Sequence, residues 1–400
     1  MAMPYAVLGP GYVLDDWFAL ANARFDGWWM AAGRDQWFAR PGAGVVYAVV
    51  FGAVGRHPLV ALAMSTGLVA AAAVLLRRLL VAVRLPDGMA AATAAVWLVL
   101  PNHGSLLYWA SATNVTLALV ALLGGLLALA QESERSGHCV VAAIALAVSA
   151  LSYEATAPAA VLGLVVVPRL ARRSWAWRPL AVGLAALVPA GAWMIAFFHP
   201  AKRGVGEWAD LTLMIPAHAG WGVIAWEPLA TVAGVAFAVG LAVTAVFVRP
   251  LGPGGSLAIA GAATIAVGTA PFVRYFYAPL GAGDRVNVVA AVGAAMAWTG
   301  LAWVAARFVR VPRAAVALGA ILVAGALAEQ WDAARAWSAA GDDAVEILRM
   351  LPTEGDEVAV AAPPVRRNVT AFLDRSNVEG AVQLVRGTRR VRANLVTPGG

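Results

Sequence analysis

Asp15 and Asp16 stand side by side in GYVLDDWF (11–18), two carboxylates inside an apolar and aromatic run. At an accessible surface such a pair supplies a general base or metal-ligand oxygens. Equally, one aspartate can cap the helix that Trp17 begins by accepting backbone N–H bonds. Glu154, in ALSYEATAP (150–158), is the second candidate, lying between two apolar runs in a region otherwise without charge. An ionisable group at membrane depth is costly and marks function by default; the alternative is a carboxylate facing a wet vestibule or paired with a structural arginine. Arg274, Tyr275 and Tyr277 in FVRYFYAPLGAGDR (272–285) form the third group, with Asp284 and Arg285 closing the same segment. A guanidinium there clamps a phosphate bidentately, or snorkels to lipid headgroups. Lys202 and Arg203 in HPAKRGVGEW offer a second basic pair for a diphosphate or a bound lipid. His103, in LPNHGSLLYW, could assist substrate binding, although a lone loop histidine is usually just solvated.

Several chemistries lack their signatures. There is no Gly-Lys-Ser/Thr phosphate loop, no His-Glu-x-x-His and no Gly-x-Ser-x-Gly, which argues against an ATP-driven pump, a zincin or a serine hydrolase. A single cysteine, Cys139, allows neither an intrachain disulfide nor a thiolate metal cluster. Asn114 and Asn368 begin Asn-Val-Thr sequons.

The elements that must position these residues are membrane helices. A 400-residue chain that is 61% hydrophobic and 13% charged has too few polar groups to cover a water-soluble globule. Apolar runs at 57–76, 86–102, 114–130, 138–152, 155–168, 179–198, 228–248, 256–273, 286–307 and 314–330 predict roughly ten spans. The fold class expected is an all-α polytopic bundle with a small α/β C-terminal domain. Arg77, Arg78 and Arg84, then Arg169, Arg172, Arg173 and Arg178, then Arg249, then Arg307, Arg310 and Arg313 fall in loops on one side, which should be cytoplasmic. Residues 1–56, the loops 199–227 and 274–285, and the tail then lie outside. The basic residues are dispersed between spans, so the net charge of +7 does not mark a nucleic-acid surface. Trp17, Phe18, Trp28 and Trp29 suit a segment at headgroup depth. The organisation expected is 1–56 as an outer first loop with interfacial helices, 57–330 as the bundle and 331–400 as the outer domain. Nine acidic residues and nine arginines in the last 70 positions mark that domain. Within it 342–351 has helical spacing, while 357–362, 381–385 and 390–396 alternate like strands.

The order of motifs carries a resemblance. An outer DDW, then ARPGAGVVYAVVFGAVGRHPL (39–59), then LSYEATAP (151–158), then VRYFYAPLGAGDR (273–285) resembles polytopic glycosyltransferases of the GT-C superfamily, among them protein O-mannosyltransferase-like and bacterial lipid-linked-sugar transferases. The resemblance spans about residues 11–330. It implies a catalytic base or metal-associated carboxylate at Asp15 or Asp16, with Asp16 preferred, and a matching Arg-Pro at Arg40 and Pro41. Tyr153 and Glu154 stand where relatives carry a Lys-Glu or Tyr-Glu pair, and Arg274 with Tyr275 where many carry an Arg-Tyr near the lipid phosphate. Such proteins carry a membrane helix ahead of the aspartates; none precedes Asp15, so either an upstream start or a shortened variant is expected.

What the resemblance implies is sugar transfer from a polyprenyl-phosphate-linked donor to an envelope glycan, lipid or protein acceptor outside the plasma membrane, with inversion in a single displacement. Asp16 would deprotonate the acceptor, and Arg274, with Lys202, Arg203 or Arg285, would hold the phosphate. Arg40, His103 and Tyr153 would support the acceptor or the loop. Whether a divalent cation such as Mg or Mn joins Asp15, Asp16 and Glu154 stays open. Two rival readings stand beside this one. One is a secondary transporter or flippase with Glu154 as proton carrier, although no internal repeat favours it. The other is a non-catalytic membrane assembly factor.

Overall fold

The computed structural model describes residues 3–55, 57–131, 137–170, 177–197, 216–220, 227–247, 252–272, 281–308, 312–352 and 355–396. The chain is a polytopic, predominantly helical membrane protein with a small α/β unit at its C-terminal end. Within the described residues each of the ten apolar runs forms a helix, and five described segments are long and apolar enough to cross a membrane, among them Pro58–Ala82 and Pro228–Val246. Gly137–Ser152 and Thr156–Leu170 are shorter and separated by a break at residues 153–155, which is where Glu154 sits.

The central element is Thr113–Ala130, whose side chains are buried almost all round because neighbours cover every face. That explains its continuous apolar run, since no side needs to meet water or lipid. Asn114 on this helix is buried and its side-chain amide donates to the Ser152 carbonyl at 3.3 Å, tying the core to the Glu154 break. Pro253–Thr269 and Val288–Phe308 lie backbone to backbone. A Cβ on Gly261 would fall 2.5 Å from the Ala297 nitrogen, and one on Gly300 2.5 Å from the Ala258 nitrogen. In a membrane, where burial gains little between helices, such close small-residue contact is a main source of association. It fixes where Gly281–Asn287, and hence Arg285, emerges.

The first loop is helical. Asp15–Phe25, Gly33–Ala39 and Pro41–Tyr47 follow one another, and a π-helical turn, Ala48–Ala53, continues the last. Trp28, Trp29 and Phe38 are exposed between them.

One expectation about the tail is corrected. The expected boundary at 330/331 lies along one 38-residue helix, Pro312–Arg349, which also carries the helical spacing read at 342–351. The segment 381–385 is helix rather than strand, part of Arg375–Arg386. Its buried Val378, Ala381 and Val382 have helical spacing, Asp374 and Asn377 form a capping box, and Gly387 ends the helix in the left-handed conformation. Strands β1 (Glu357–Ala361) and β2 (Arg392–Val396) pair in parallel across this helix, Glu357 opposite Arg392.

Candidate active site

The aspartate pair opens helix Asp15–Phe25, and the two side chains part company there. Successive helical residues point about 100° apart, so one carboxylate faces the protein and the other faces out. Asp16 is fully buried. Its Oδ1 accepts from the Ser111 backbone N–H at 2.8 Å and the Ser111 hydroxyl at 2.6 Å, and its Oδ2 accepts from the Val13 N–H at 3.1 Å. It thereby holds the turn Ala110–Ala112 that leads into the central helix. Burial pushes its carboxyl up to about 7, against the downward pull of the Ser111 hydroxyl and the Val13 and Ser111 amides.

This shift gives a stability prediction. Between the ordinary 3.8 and about 7 the folded protein holds a proton on Asp16 that the unfolded chain has released. Stability from this group is therefore complete below about pH 4, falls as pH rises and levels off above about 7. Melting of the solubilised protein from pH 4 to 8 is expected to show this decline, and Asp16→Asn to lack that component of it.

Asp15 is the outward carboxylate, its side chain 40% exposed. Arg285 Nη1 approaches its Oδ2 at 3.6 Å, and the Asn377 side-chain amide donates to its Oδ1 at 3.1 Å. The Arg285 guanidinium lies 4.5 Å from the centre of the buried Trp109 ring, a cation–π contact that keeps the charge at the surface while its flat face is covered. Asp284, next to it, is buried and accepts from the Ser105 backbone N–H at 3.1 Å, anchoring the segment that presents Arg285. Tyr47 lies within interaction range of Ser111, Arg285 and both aspartates.

Glu154 sits elsewhere, in an ion pair with Arg40 at 2.5 Å. The Arg40 guanidinium also lies 5.6 Å from the centre of the Tyr153 ring, which stacks on Phe272. Arg40 precedes the helix Pro41–Tyr47, about 10 Å long, and Tyr47 closes it. Glu154 Oε2 is buried without a hydrogen-bond partner among the described residues.

Of the residues singled out in the sequence, Asp15, Asp16 and Arg285 converge, while Arg40, Tyr153 and Glu154 form a second cluster. Lys202, Arg203, Arg274 and Tyr275 lie outside the described residues. His103 is corrected: it is buried rather than solvated, stacked on Trp97 at 5.1 Å, and burial lowers its imidazole to about 4. As for a divalent cation, both Asp16 oxygens are engaged by donors and Glu154 is paired with Arg40. The three carboxylates therefore do not fit a shared ion, and no group of three metal-ligating side chains occurs among the described residues.

Sequence reasoning missed Ser111, Trp109, Tyr47 and Asn377. The first two lie in a run, SLLYWASAT, that reads as ordinary packing, and Asn377 is 362 positions from the carboxylate it holds.

An apolar cavity of about 160 Å³ opens between the helices. Val289, four residues past Arg285, lines it together with Leu76, Leu122, Leu126, Val167 and Met296. Among the described residues its wall carries one hydroxyl, Thr264, which donates to the Ala260 carbonyl at 2.8 Å.

No family model and no curated protein matches the chain. It is similar to the crystal structure of ArnT from Cupriavidus metallidurans bound to undecaprenyl phosphate, at 16% identity over 98% of this chain and 83% of that one, with a TM-score of 0.46. Against the apo state of the same protein the identity is 16%, the coverage 99% and 83%, and the TM-score 0.39.

Proposed function

We propose that the protein transfers a sugar from a polyprenyl-phosphate-linked donor to an acceptor hydroxyl at the outer face of the plasma membrane, as a GT-C-like glycosyltransferase. The observation that carries this reading is the placement of Arg285. Its guanidinium stands beside an outward carboxylate, and Val289, four residues further along the chain, lines an apolar cavity between the helices. A ligand with an isoprenoid tail, a phosphate and a sugar matches those three parts in that order.

In this mechanism Asp15, rather than the buried Asp16, is the base. Its Oδ2 takes the acceptor proton as the acceptor oxygen bonds to the anomeric carbon. The bond from that carbon to the phosphate oxygen breaks with inversion, and the electron pair leaves on the phosphate. Arg285 stabilises the charge that develops there. Asp16 holds the start of the central helix, and the Arg40–Glu154 pair shapes the far wall. No step is assigned to a metal ion. The arginine-bearing loops support a cytoplasmic side opposite the site, and with it an outer first loop and tail.

The test uses purified protein in liposomes with decaprenyl-phosphate-linked tritiated hexoses and pentoses, alongside mass analysis of envelope glycans from a deletion strain. Loss of a sugar from those glycans and label transfer in vitro are expected; an unchanged glycan profile with no transfer from any donor would sink the proposal. Met296→Trp, which narrows the cavity away from the carboxylate, is expected to raise the donor KM about tenfold with little change in kcat, because it removes binding common to ground and transition states.

A further inference from the structure

We infer that Asn377, in the C-terminal unit, is a positioning residue for Asp15, so that the α/β unit completes the active site. The inference rests on the reading of Asp15 as the base. Asn377 is fully buried, and its side-chain oxygen accepts from the Leu373 N–H at 3.1 Å and the Asp374 N–H at 3.4 Å. With the oxygen committed to two backbone donors, the amide nitrogen has one direction left. It points at Asp15 Oδ1, 3.1 Å away. The contact occupies Oδ1 and leaves Oδ2 toward Arg285.

The platform beneath this contact does not slide. A Cβ on Gly380 would lie 2.8 Å from the Trp17 carbonyl oxygen, so Arg375–Arg386 and Asp15–Phe25 touch through their backbones. At the far end Arg389 donates to Asn22 at 2.6 Å and pairs with Asp26. At the near end the Leu14 N–H donates to the Ala371 carbonyl at 2.9 Å. Leu14 itself has φ 53° and ψ −130°, a positive-φ conformation that a leucine adopts only under constraint. A carboxylate held at one oxygen by a locked amide, on a backbone pinned at three places, is preorganised for proton transfer.

Asn377→Asp tests this. It keeps an acceptor for both capping amides and favours the helix N-terminus, but removes the donor to Asp15. With the tritiated decaprenyl-phosphate donor that the unmodified protein turns over fastest, kcat is expected to fall about 100-fold while the donor KM stays within about twofold. Asp374→Ala is the structural control, since Asp374 caps the same helix through the Asn377 N–H at 3.1 Å and does not touch Asp15. It is expected to lower the melting temperature and leave kcat of the folded protein within about twofold. The exchanged pair Asp15→Asn with Asn377→Asp is expected to regain melting temperature lost by Asn377→Asp, yet stay inactive. Undiminished kcat in Asn377→Asp, or a fall matched by Asp374→Ala at equal loss of melting temperature, overturns the inference. If Asp15→Asn is inactive while Asn377→Asp is active, only the positioning role falls. If Asp15→Asn itself is active, the reading of Asp15 falls first.

Discussion

Asp15→Asn is expected to lower sugar transfer by about 10²- to 10⁴-fold, the range over which a positioned general base contributes, with little change in melting temperature. The asparagine can still accept from Asn377 through its side-chain oxygen, so the contact that holds the helix end survives. What disappears is the basic oxygen facing Arg285. Asp16→Asn is expected to do the reverse. One side-chain oxygen can still serve Ser111, but the amide nitrogen then faces the Val13 N–H, donor against donor. A buried polar group left without its partner costs about 1–3 kcal/mol, so yield and thermal stability drop while the folded fraction keeps most of its kcat. Steady-state kinetics normalised to folded protein separate the two. The opposite pattern, an inert Asp16→Asn and a fully active Asp15→Asn, would return the base to Asp16.

That distinction marks where sequence reading stopped. The apolar runs translate into helices because length and composition alone decide whether a segment can satisfy its backbone in lipid. An aspartate dipeptide, by contrast, places one side chain inward and one outward without saying which. The answer depends on Ser111, 95 positions away, whose amide and hydroxyl reach Asp16. The boundary expected at 330/331 lies along a continuous helix for a related reason. Charge density rises there, yet Gln330 reaches back into the bundle, donating to the Leu100 carbonyl at 2.9 Å, and Glu329 pairs with Arg367 of the tail. Polar residues at that point join the bundle to the outer unit rather than separate them, so the helix runs through. His103 misled because a histidine in a polar-looking loop reads as solvated, while its stacking on Trp97 comes from a packing arrangement that no local pattern announces. Asn377 was invisible for the same reason: capping boxes are legible locally, but what the second amide atom touches is not.

Arg285→Ala is expected to reduce kcat by about 10²- to 10³-fold, the cost of removing one preorganised donor to a developing oxyanion. Arg285→Lys separates charge from shape. The guanidinium is flat, covers the Trp109 ring at 4.5 Å and still presents N–H groups to Asp15 at 3.6 Å. An ammonium keeps the charge but neither stacks in that way nor offers a planar fork to two phosphate oxygens. Lysine is therefore expected to recover no more than about tenfold of the loss. Trp109→Leu, which removes the aromatic platform and keeps an apolar side chain beneath the guanidinium, should show an intermediate defect, since a cation–π contact at a partly exposed site contributes about 0.5–1 kcal/mol. Negative charge gathers on the phosphate only as the glycosidic bond breaks, so an arginine acting on the leaving group must affect kcat more than the donor KM. A headgroup anchor would do the opposite, weakening donor binding and leaving turnover intact. Measuring kcat, KM and the binding of decaprenyl phosphate alone across Arg285→Ala, Arg285→Lys and Trp109→Leu decides between them: parallel losses in binding with unchanged kcat would make Arg285 a lipid anchor and leave the leaving group without its counter-charge.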